Sequence, residues 1–313
     1  MDPRQLLFKI VEGVEKGLIT PESVSLGGAL ETQIAREFIY LVREQSAFLA
    51  RITVKPVGKV QASFKLLDIA SEVLVRVAQG TEPTADQLAE LARTDVNFVN
   101  LATQLFYTLS FDDIRDNKDN PAFEGEIETN MAMTFSNDVV RLGFNGVADD
   151  YAGSAWNRLN KGWLQCAKEN VPPAQRVNSN GETSLIAVMD AMIAALPDKW
   201  ADQTKVEFLL SPTDYRAWVK EMYGDGHDVL ALAKIDGKLP AYMGFKVASD
   251  PNMVTGVQLL TNPKNLWMTV LTSIERYREV SGRKRCLDYT YDYAFDFGVG
   301  IAEACVIAWD QGY

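Results

Sequence analysis

The feature that most constrains this chain is a single long helical pattern near its middle. Large apolar residues recur there at intervals of three or four positions, namely Ile127, Met131, Phe135, Val139 and Leu142. Pro121 precedes the run and Gly146 follows it, and these residue types commonly begin and end helices. The spacing predicts one helix of about 23 residues and about 35 Å, and we expect the first four of these apolar residues to form its core-facing side.

A second pattern, near the C-terminus, is typical of a strand. Every second residue is aromatic in the run Tyr289, Tyr291, Tyr293, Phe295 and Phe297. In a strand these five side chains point to the same side, so we predict that they form one face of the core. Residues Trp267–Glu279 and Ile301–Trp309 also have the composition of strands.

The remaining chain adds helical patterns, most of them early. Residues 3–17 and 29–49 each carry a one-sided apolar stripe, and 84–93 and 95–106 also look helical. Residues 149–182 show little periodicity. Helices early and strands late indicate an α+β fold, in which the one-sided helices need another surface to bury their apolar faces.

Composition limits the functions open to these 313 residues. There are 31 basic and 42 acidic residues, a net charge of -11, whereas a protein that binds nucleic acid over a broad surface is usually basic. The three cysteines and single histidine do not suit a disulfide framework or a multi-histidine metal site. We find no signal-peptide pattern and no apolar run of about 18 residues, so we expect a protein assembled inside a cell, away from membranes.

The sequence contains no recognisable catalytic motif. It has no nucleotide-binding glycine loop, Gly-x-Ser-x-Gly elbow or Cys/His metal spacing, so we expect no cofactor, no metal and no enzymatic activity. The rival interpretation is a hydrolase built on His227, or on Asp292 and Asp296, which would share a strand face. The simpler interpretation is a solvated turn histidine and surface carboxylates between aromatic core residues.

Five basic residues cluster within ten positions of this acidic chain: Arg276, Arg278, Arg283, Lys284 and Arg285. One interpretation is a solvated hairpin end. The other is an electrostatic contact with an acidic surface of a neighbouring subunit, because complementary charges fix the register between partners.

Residues 142–165, LGFNGVADDYAGSAWNRLNKGWLQ, point to a known family. The sequence resembles the major capsid proteins of tailed bacteriophages, which have the Hong Kong 97-type fold, and most closely the P-two-like myophage branch. In that family a long spine helix ends in a similar GFNG turn, here Gly143–Gly146. An NKGWLQ segment then follows, here Asn160, Lys161, Gly162, Trp163, Leu164 and Gln165.

The resemblance implies an architecture of four parts. These are an N-terminal arm (1–50), an extended loop region (51–115), a peripheral domain with the spine helix (116–165 plus 266–290) and an axial domain (166–265 plus 291–313). The arm and the loop would reach neighbouring subunits, so we expect assembly contacts at Leu6, Ile10 and Phe38 as well as at the five basic residues. Residues 1–25 are either a retained arm or a segment removed during maturation.

The resemblance also implies a function. We expect a major capsid protein that self-assembles into pentamers and hexamers of an icosahedral shell around double-stranded DNA. Its partners would be other copies of itself, portal and scaffold proteins and a cement or decoration protein, with DNA enclosed but not read by sequence. Its location would be the virion capsid, assembled in the host bacterial cytoplasm. The alternative within the same fold is the shell protein of an encapsulin-like bacterial nanocompartment.

Overall fold

The computed structural model describes residues 28–29, 42, 46–69, 91–117, 123–147, 154–179, 182, 184–223, 241–272 and 275–309. The α-helices of this part are α1 (Phe111–Asp116), α2 (Phe123–Asn145), α3 (Trp163–Asn170), α4 (Leu185–Ala195) and α5 (Pro212–Tyr223). Its strands are β1 (Gly28–Ala29), β2 (Thr53–Val57), β3 (Gln61–Ile69), β4 (Leu91–Val99), β5 (Leu101–Ser110), β6 (Arg176–Asn178), β7 (Glu207–Leu210), β8 (Ala241–Tyr242), β9 (Phe245–Ser249), β10 (Val257–Thr261), β11 (Leu266–Leu271), β12 (Glu275–Ser281), β13 (Cys286–Val299) and β14 (Cys305–Trp309). This mixture confirms the predicted α+β class.

The first sheet is organised around β13, a strand of 14 residues. β5 pairs antiparallel with one edge of β13, while β12 and then β11 pair with the other edge. β2 adds a parallel strand outside β11, and β1 pairs outside β12. A strand of this length, about 46 Å, exposes many backbone N–H and C=O groups, and three neighbouring strands satisfy them.

One face of β13 is the aromatic face that the alternation predicted. All five aromatic side chains from Tyr289 to Phe297 are buried, which confirms that prediction. The helix α2 lies along this face, and the ring centroid of Phe135 is 4.4 Å from that of Tyr293. α2 also confirms the long helix predicted from the sequence. Along it Phe135 and Val139 are buried, whereas Ile127 and Met131 are partly buried.

β3 and β4 form a separate two-stranded ribbon. Among the described strands they pair only with each other, from Gln61 opposite Val99 to Ile69 opposite Leu91. The helix predicted over 95–106 is wrong, because these residues lie in β4 and β5, and the described end of the helix predicted over 84–93 is strand as well. Pairing with β13 along the whole of β5 outweighs a weak local helical preference.

α3 is a helix that the sequence pattern did not predict. It has eight residues and buries Trp163, Leu164, Cys166 and Ala167. Two turns are too few for an apolar period to stand out from its surroundings. Its first residue, Trp163, places its indole ring in the same core as the aromatic face of β13.

The second sheet has the strand order β6-β14-β10-β7-β9-β8. On one face, Phe208 packs with Met189 of α4 and Trp218 of α5. On the other face, Leu209 belongs to the same core as Trp163 and the aromatic face of β13. The two sheets therefore share one continuous core and are not separated by a linker.

At two places, the predicted four-part division separates residues that the strand pairing joins. The boundary between residues 290 and 291 falls inside β13, whose pairing continues from Cys286 to Val299. β5, placed in the extended loop region, pairs with the same strand. The N-terminal helical patterns at 3–17 and 29–49 lie almost entirely outside the described residues.

Candidate assembly sites

The GFNG and NKGWLQ segments meet where α2 ends and α3 begins. Trp163 lies so close to Gly143 that a Cβ on this glycine would be 2.2 Å from the indole Cζ3. Gly146 and Gly162 are also confined, because a Cβ on either would come within 2.4 Å of a backbone oxygen. Only glycine permits backbone approaches of this kind, so these residues fix the angle between α2 and α3.

Two buried hydrogen bonds attach this junction to the first sheet. Asn160 Nδ2 donates to the backbone oxygen of Phe295 at 2.8 Å, and Trp163 Nε1 donates to the backbone oxygen of Trp267 at 2.8 Å. A buried donor left without its acceptor would cost about 1–3 kcal/mol. The NKGWLQ segment therefore binds α2 and α3 to β13 and β11 within one chain.

The other polar residues of this segment lie at the surface. Lys161 Nζ is 3.1 Å from Glu169 Oε2, and Gln165 Nε2 donates to Glu169 Oε1 at 2.8 Å. Leu164, between them, is fully buried. These surface pairs stabilise the short helix α3. The geometry of the junction with α2 is determined by the glycines and the tryptophan.

An aromatic cluster packs where the β3–β4 ribbon meets the first sheet. The rings of Phe64, Phe98 and Trp267 have centroid separations of 5.7, 5.8 and 6.2 Å. Lys55 Nζ lies 3.1 Å from the Trp267 ring centroid and 4.2 Å from that of Phe64, a cation–π contact that typically contributes about 0.5–2 kcal/mol. Burial against these rings lowers the pKa of Lys55. Sequence analysis missed this cluster because its residues come from four separate segments.

Two polar side chains tie the base of the ribbon to the sheet. Asn100 Nδ2 donates to the backbone oxygen of Val60 at 3.0 Å, and Asn100 Oδ1 accepts a hydrogen bond from the Thr269 hydroxyl at 2.8 Å. Asp296 Oδ2 accepts from the backbone N–H of Val99 at 2.8 Å. Burial raises the pKa of Asp296 in spite of this hydrogen bond. Together these contacts set the direction in which the ribbon leaves the sheet.

An ion pair between a partly exposed arginine and a buried glutamate joins the two sheets. Arg51, just before β2, contacts Glu207 in β7, and Asp250, which follows β9, is a second carboxylate nearby. Burial lowers the pKa of the Arg51 guanidinium and raises that of Asp250. Because β2 belongs to the first sheet and β7 to the second, these contacts fix the position of one sheet relative to the other.

The turn between β12 and β13 carries three of the five basic residues predicted to form an assembly contact. Arg283, Lys284 and Arg285 are all exposed. Arg285 has a φ of +52°, and its NH2 nitrogen lies 3.0 Å from Asp112 Oδ1. Lys284 Nζ is 3.8 Å from Asp288 Oδ2. Arg285 and Lys284 therefore each lie beside a carboxylate of their own subunit, and Arg283 stands at the tip of the turn.

The other predicted assembly residues are less fully described. Arg276 and Arg278 lie in β12, opposite Tyr291 and Tyr289 of β13. Leu6, Ile10 and Phe38 lie outside the described residues. The assembly role of all these residues stays a prediction.

The residues of the rival hydrolase are poorly placed for catalysis. Asp292 and Asp296 are four residues apart on one strand, about 13 Å, whereas paired glycosidase carboxylates are about 5–9.5 Å apart. Each also has its own partner, Gln104 Nε2 for Asp292 at 3.3 Å and Val99 for Asp296. His227 lies outside the described residues. Within the described ranges, no group of three or more His, Cys, Asp or Glu residues is placed to hold a metal ion.

Among the described helices, none combines the length and the apolar character needed to cross a membrane.

A family match shows to which protein family this chain belongs. The model of the family described as phage major capsid protein, P2 family, matches residues 19–202, more than half of the chain. The chain belongs to the P2 family of phage major capsid proteins. This confirms the resemblance carried by the GFNG and NKGWLQ segments, and it gives this capsid protein a structural role in phage particles. No protein with a curated description matches its sequence.

Solved structures similar to this capsid protein include shells of phages and of an encapsulin. A chain of the satellite phage P4 procapsid including size determination (Sid) protein is 18% identical, with a TM-score of 0.69, and the match covers 99% of this chain and 98% of that one. The capsid of a native GTA particle is 16% identical, with a TM-score of 0.56 and coverage of 95% and 97%. The holo-SrpI encapsulin complex from Synechococcus elongatus PCC 7942 is 12% identical, with a TM-score of 0.53 and coverage of 85% and 88%. These likenesses confirm the Hong Kong 97-type fold, and the family match favours a phage capsid over an encapsulin.

Proposed function

We propose that this chain forms the shell of a tailed-phage head, in which its copies assemble into pentamers and hexamers of an icosahedral container for double-stranded DNA. The observation that carries the proposal is the β3–β4 ribbon. It is nine residue pairs long, about 30 Å, and a two-stranded ribbon alone is at best marginally stable in water. Val60 and Val99 at its base are 52% and 47% exposed. Contact with a neighbouring copy would bury such a ribbon.

The proposed division of labour follows the two sheets. We assign β5 and the whole of β13, with α2, to the peripheral domain, and β6 to β10 and β14, with α4 and α5, to the axial domain. This assignment is supported by strand pairing, because β13 belongs entirely to the first sheet and β14 to the second. The arm (1–50) and the extended loop, now reduced to β3, β4 and the chain between them, would make the contacts with other copies.

The proposed partners are other copies of this chain, portal and scaffold proteins and a cement or decoration protein, and assembly would take place in the host bacterial cytoplasm. We propose no enzymatic role, since Asp292 and Asp296 are occupied by structural hydrogen bonds. The net charge of -11 supports a container that does not bind the DNA inside it tightly, because like charges repel.

Electron microscopy of the purified chain tests the shell function. We expect closed angular particles, alone or after co-expression with the neighbouring genes, and a 1–25 deletion shows whether the first residues are needed. Particles filled with DNA would support the phage head, while DNA-free particles holding an enzyme cargo would favour the encapsulin alternative. Only small oligomers under all these conditions would overturn the proposal.

A further inference from the structure

The face of the first sheet opposite the aromatic core face is covered over only half of its length. Near Val299, the ribbon base lies over it, so closely that a Cβ on Gly298 would be 2.6 Å from the ring of Phe98. Toward Cys286, no described element covers it. We call this exposed half the acidic face, and it consists of Phe106, Tyr277, Glu279, Asp288, Thr290 and Asp292.

Two aromatic side chains lie in one row of the acidic face. Phe106 of β5 and Tyr277 of β12 both stand opposite Thr290 of β13, one on each side. Phe106 is 66% exposed and Tyr277 is 39% exposed. A single exposed aromatic residue is ordinary, but two in one row across three strands form a platform that water solvates poorly.

Carboxylates surround this platform. Glu279 stands directly opposite Asp288, and like charges in such a pair destabilise a sheet. The Thr108 hydroxyl donates to Asp288 Oδ1 at 2.6 Å, which lowers the pKa of Asp288 and keeps it ionised. Asp292 lies on the other side of Thr290 along the same strand. Lys284 Nζ of the same subunit lies 3.8 Å from Asp288 Oδ2. A further cation beside Glu279 and Asp292 would relieve the remaining concentration of negative charge.

We propose that the acidic face receives the basic turn of a second copy of this chain, with Arg283 as the residue that enters it. The inference rests on the proposed shell function and names a contact within it. The guanidinium of Arg283 would stack on Phe106, a planar cation on an aromatic face, while Glu279 and Asp292 pair with its charge.

The geometry of the turn supports this choice of partner. Arg285 lies beside Asp112 and Lys284 lies beside Asp288, which leaves Arg283 at the tip. Arg283, which would enter the contact, and Asp292, which would receive it, lie at different places along the β12–β13 hairpin, so the contact is head-to-tail. Contacts of this type close into rings when the rotation between copies permits, as a shell of repeated subunits requires.

Charge reversal in the full chain tests the contact under conditions in which the wild type forms closed particles. Arg283→Glu and Asp292→Lys are made singly and together, and the assembled fraction is measured by sedimentation and electron microscopy. Each single change is expected to lower the assembled fraction about tenfold, and the double change to recover most of it because the charges are again complementary. Lys246→Glu, at an exposed position of β9 in the second sheet, is the matched control and should assemble normally.

A second variant removes the platform without changing charge. Phe106→Ala should leave thermal unfolding unchanged, because the side chain is mostly exposed, and should lower the assembled fraction. Normal assembly of both single charge variants and of Phe106→Ala would overturn the docking contact and leave the shell function intact. A double charge variant that assembles no better than the single variants would also overturn it. A wild type that never forms closed particles would overturn the shell function and the contact together.

Discussion

The two faces of β13 differ in how much of their environment one chain supplies. On the inner face, five aromatic side chains are buried against α2, α3 and neighbouring strands. On the outer face, the ribbon base covers one half, while Phe106 in the other half is 66% exposed. The side chains of the inner face therefore stabilise the folded subunit. The outer face retains exposed surface that a second copy can contact.

This difference follows from the period of two in a strand. Alternate residues of β13 face opposite sides, so one sequence carries two independent sets of side chains. The aromatic set provides the area that stabilises the subunit, at about 1.5–3 kcal/mol for each large apolar side chain. Of the other set, Asp296 anchors the ribbon base through Val99, whereas Asp288, Thr290 and Asp292 belong to the acidic face.

The largest expected effect comes from placing a charge on the inner side. Phe135→Asp puts a carboxylate against the rings of Tyr293 and Phe295 and should cost more than about 4 kcal/mol. We expect no folded soluble subunit by circular dichroism. Met133→Asp is the matched control, because Met133 lies on the same helix and is 44% exposed. A folded Phe135→Asp subunit would show that α2 does not depend on the aromatic face.

The junction of α2 and α3 should tolerate almost no added volume. Gly143→Ala would place a methyl group against Trp163, whose indole nitrogen is held by Trp267. We expect a loss of about 3 kcal/mol in urea unfolding, although alanine in a helix alone would gain about 1 kcal/mol.

The control for this change is Gly58→Ala, where nothing lies within 4 Å of an added Cβ. It should be neutral or slightly stabilising. Equal stability of the two variants would mean that Trp163 can move away and that the junction is not rigid.

The inner side was largely predictable from the sequence, and the outer side was not. The helix from Phe123 to Asn145 and the aromatic face of β13 each carry a strong local period, which a single sequence displays directly. β4 and β5 were mistaken for helix over 95–106, because their strand character depends on partners far along the chain. Phe106, for example, stands opposite Thr290.

Among the candidate sites, the sequence pointed to residues whose structural contacts it could not indicate. The motif from Asn160 to Gln165 was identified by resemblance, yet its function at a glycine–tryptophan junction depends on packing against Gly143. The cluster of Lys55, Phe64 and Trp267 has no local signal at all. Contacts between distant segments of this kind appear only when the chain is folded.

The base of the ribbon should loosen when its buried amide is removed. Asn100→Ala takes away the hydrogen bonds to Val60 and Thr269, at a cost of about 1–3 kcal/mol. We expect faster amide hydrogen exchange in β3 and β4, with little change in β13. Asn97→Ala, at an exposed position of β4, should leave exchange unchanged. Unchanged exchange in Asn100→Ala would place the anchor of the ribbon in the aromatic cluster alone.

The covered half of the outer face should show a pH dependence that originates in Asp296. Burial raises the pKa of this carboxyl above its ordinary value, so the folded state binds the proton more tightly than the unfolded state. The stability that it contributes is present below the unfolded pKa of about 4 and is lost as the pH rises through the folded pKa.

Asp296→Asn does not titrate, so its stability relative to the wild type should increase as the pH is raised from about 4 and then level off. Urea unfolding of both proteins across this range measures the difference. Asp95→Asn, at an exposed position of β4, serves as the control. A difference that is constant or falls with pH would contradict the buried state of Asp296.

The smallest effect on stability is expected at the ion pair beside the turn between β12 and β13. Arg285 and Asp112 form an ion pair whose side chains are 60% and 69% exposed, and such pairs contribute less than about 1 kcal/mol. Arg285→Glu and Asp112→Asn should therefore unfold at nearly the same urea concentration as the wild type.

The effects of these two variants on assembly should differ, because only Arg285→Glu adds negative charge to the basic turn. We expect Arg285→Glu to reduce particle formation and Asp112→Asn to leave it unchanged. Equal losses of particle formation would mean that the ion pair positions the turn. Normal assembly of both variants would mean that Arg285 does not contribute to the contact between copies.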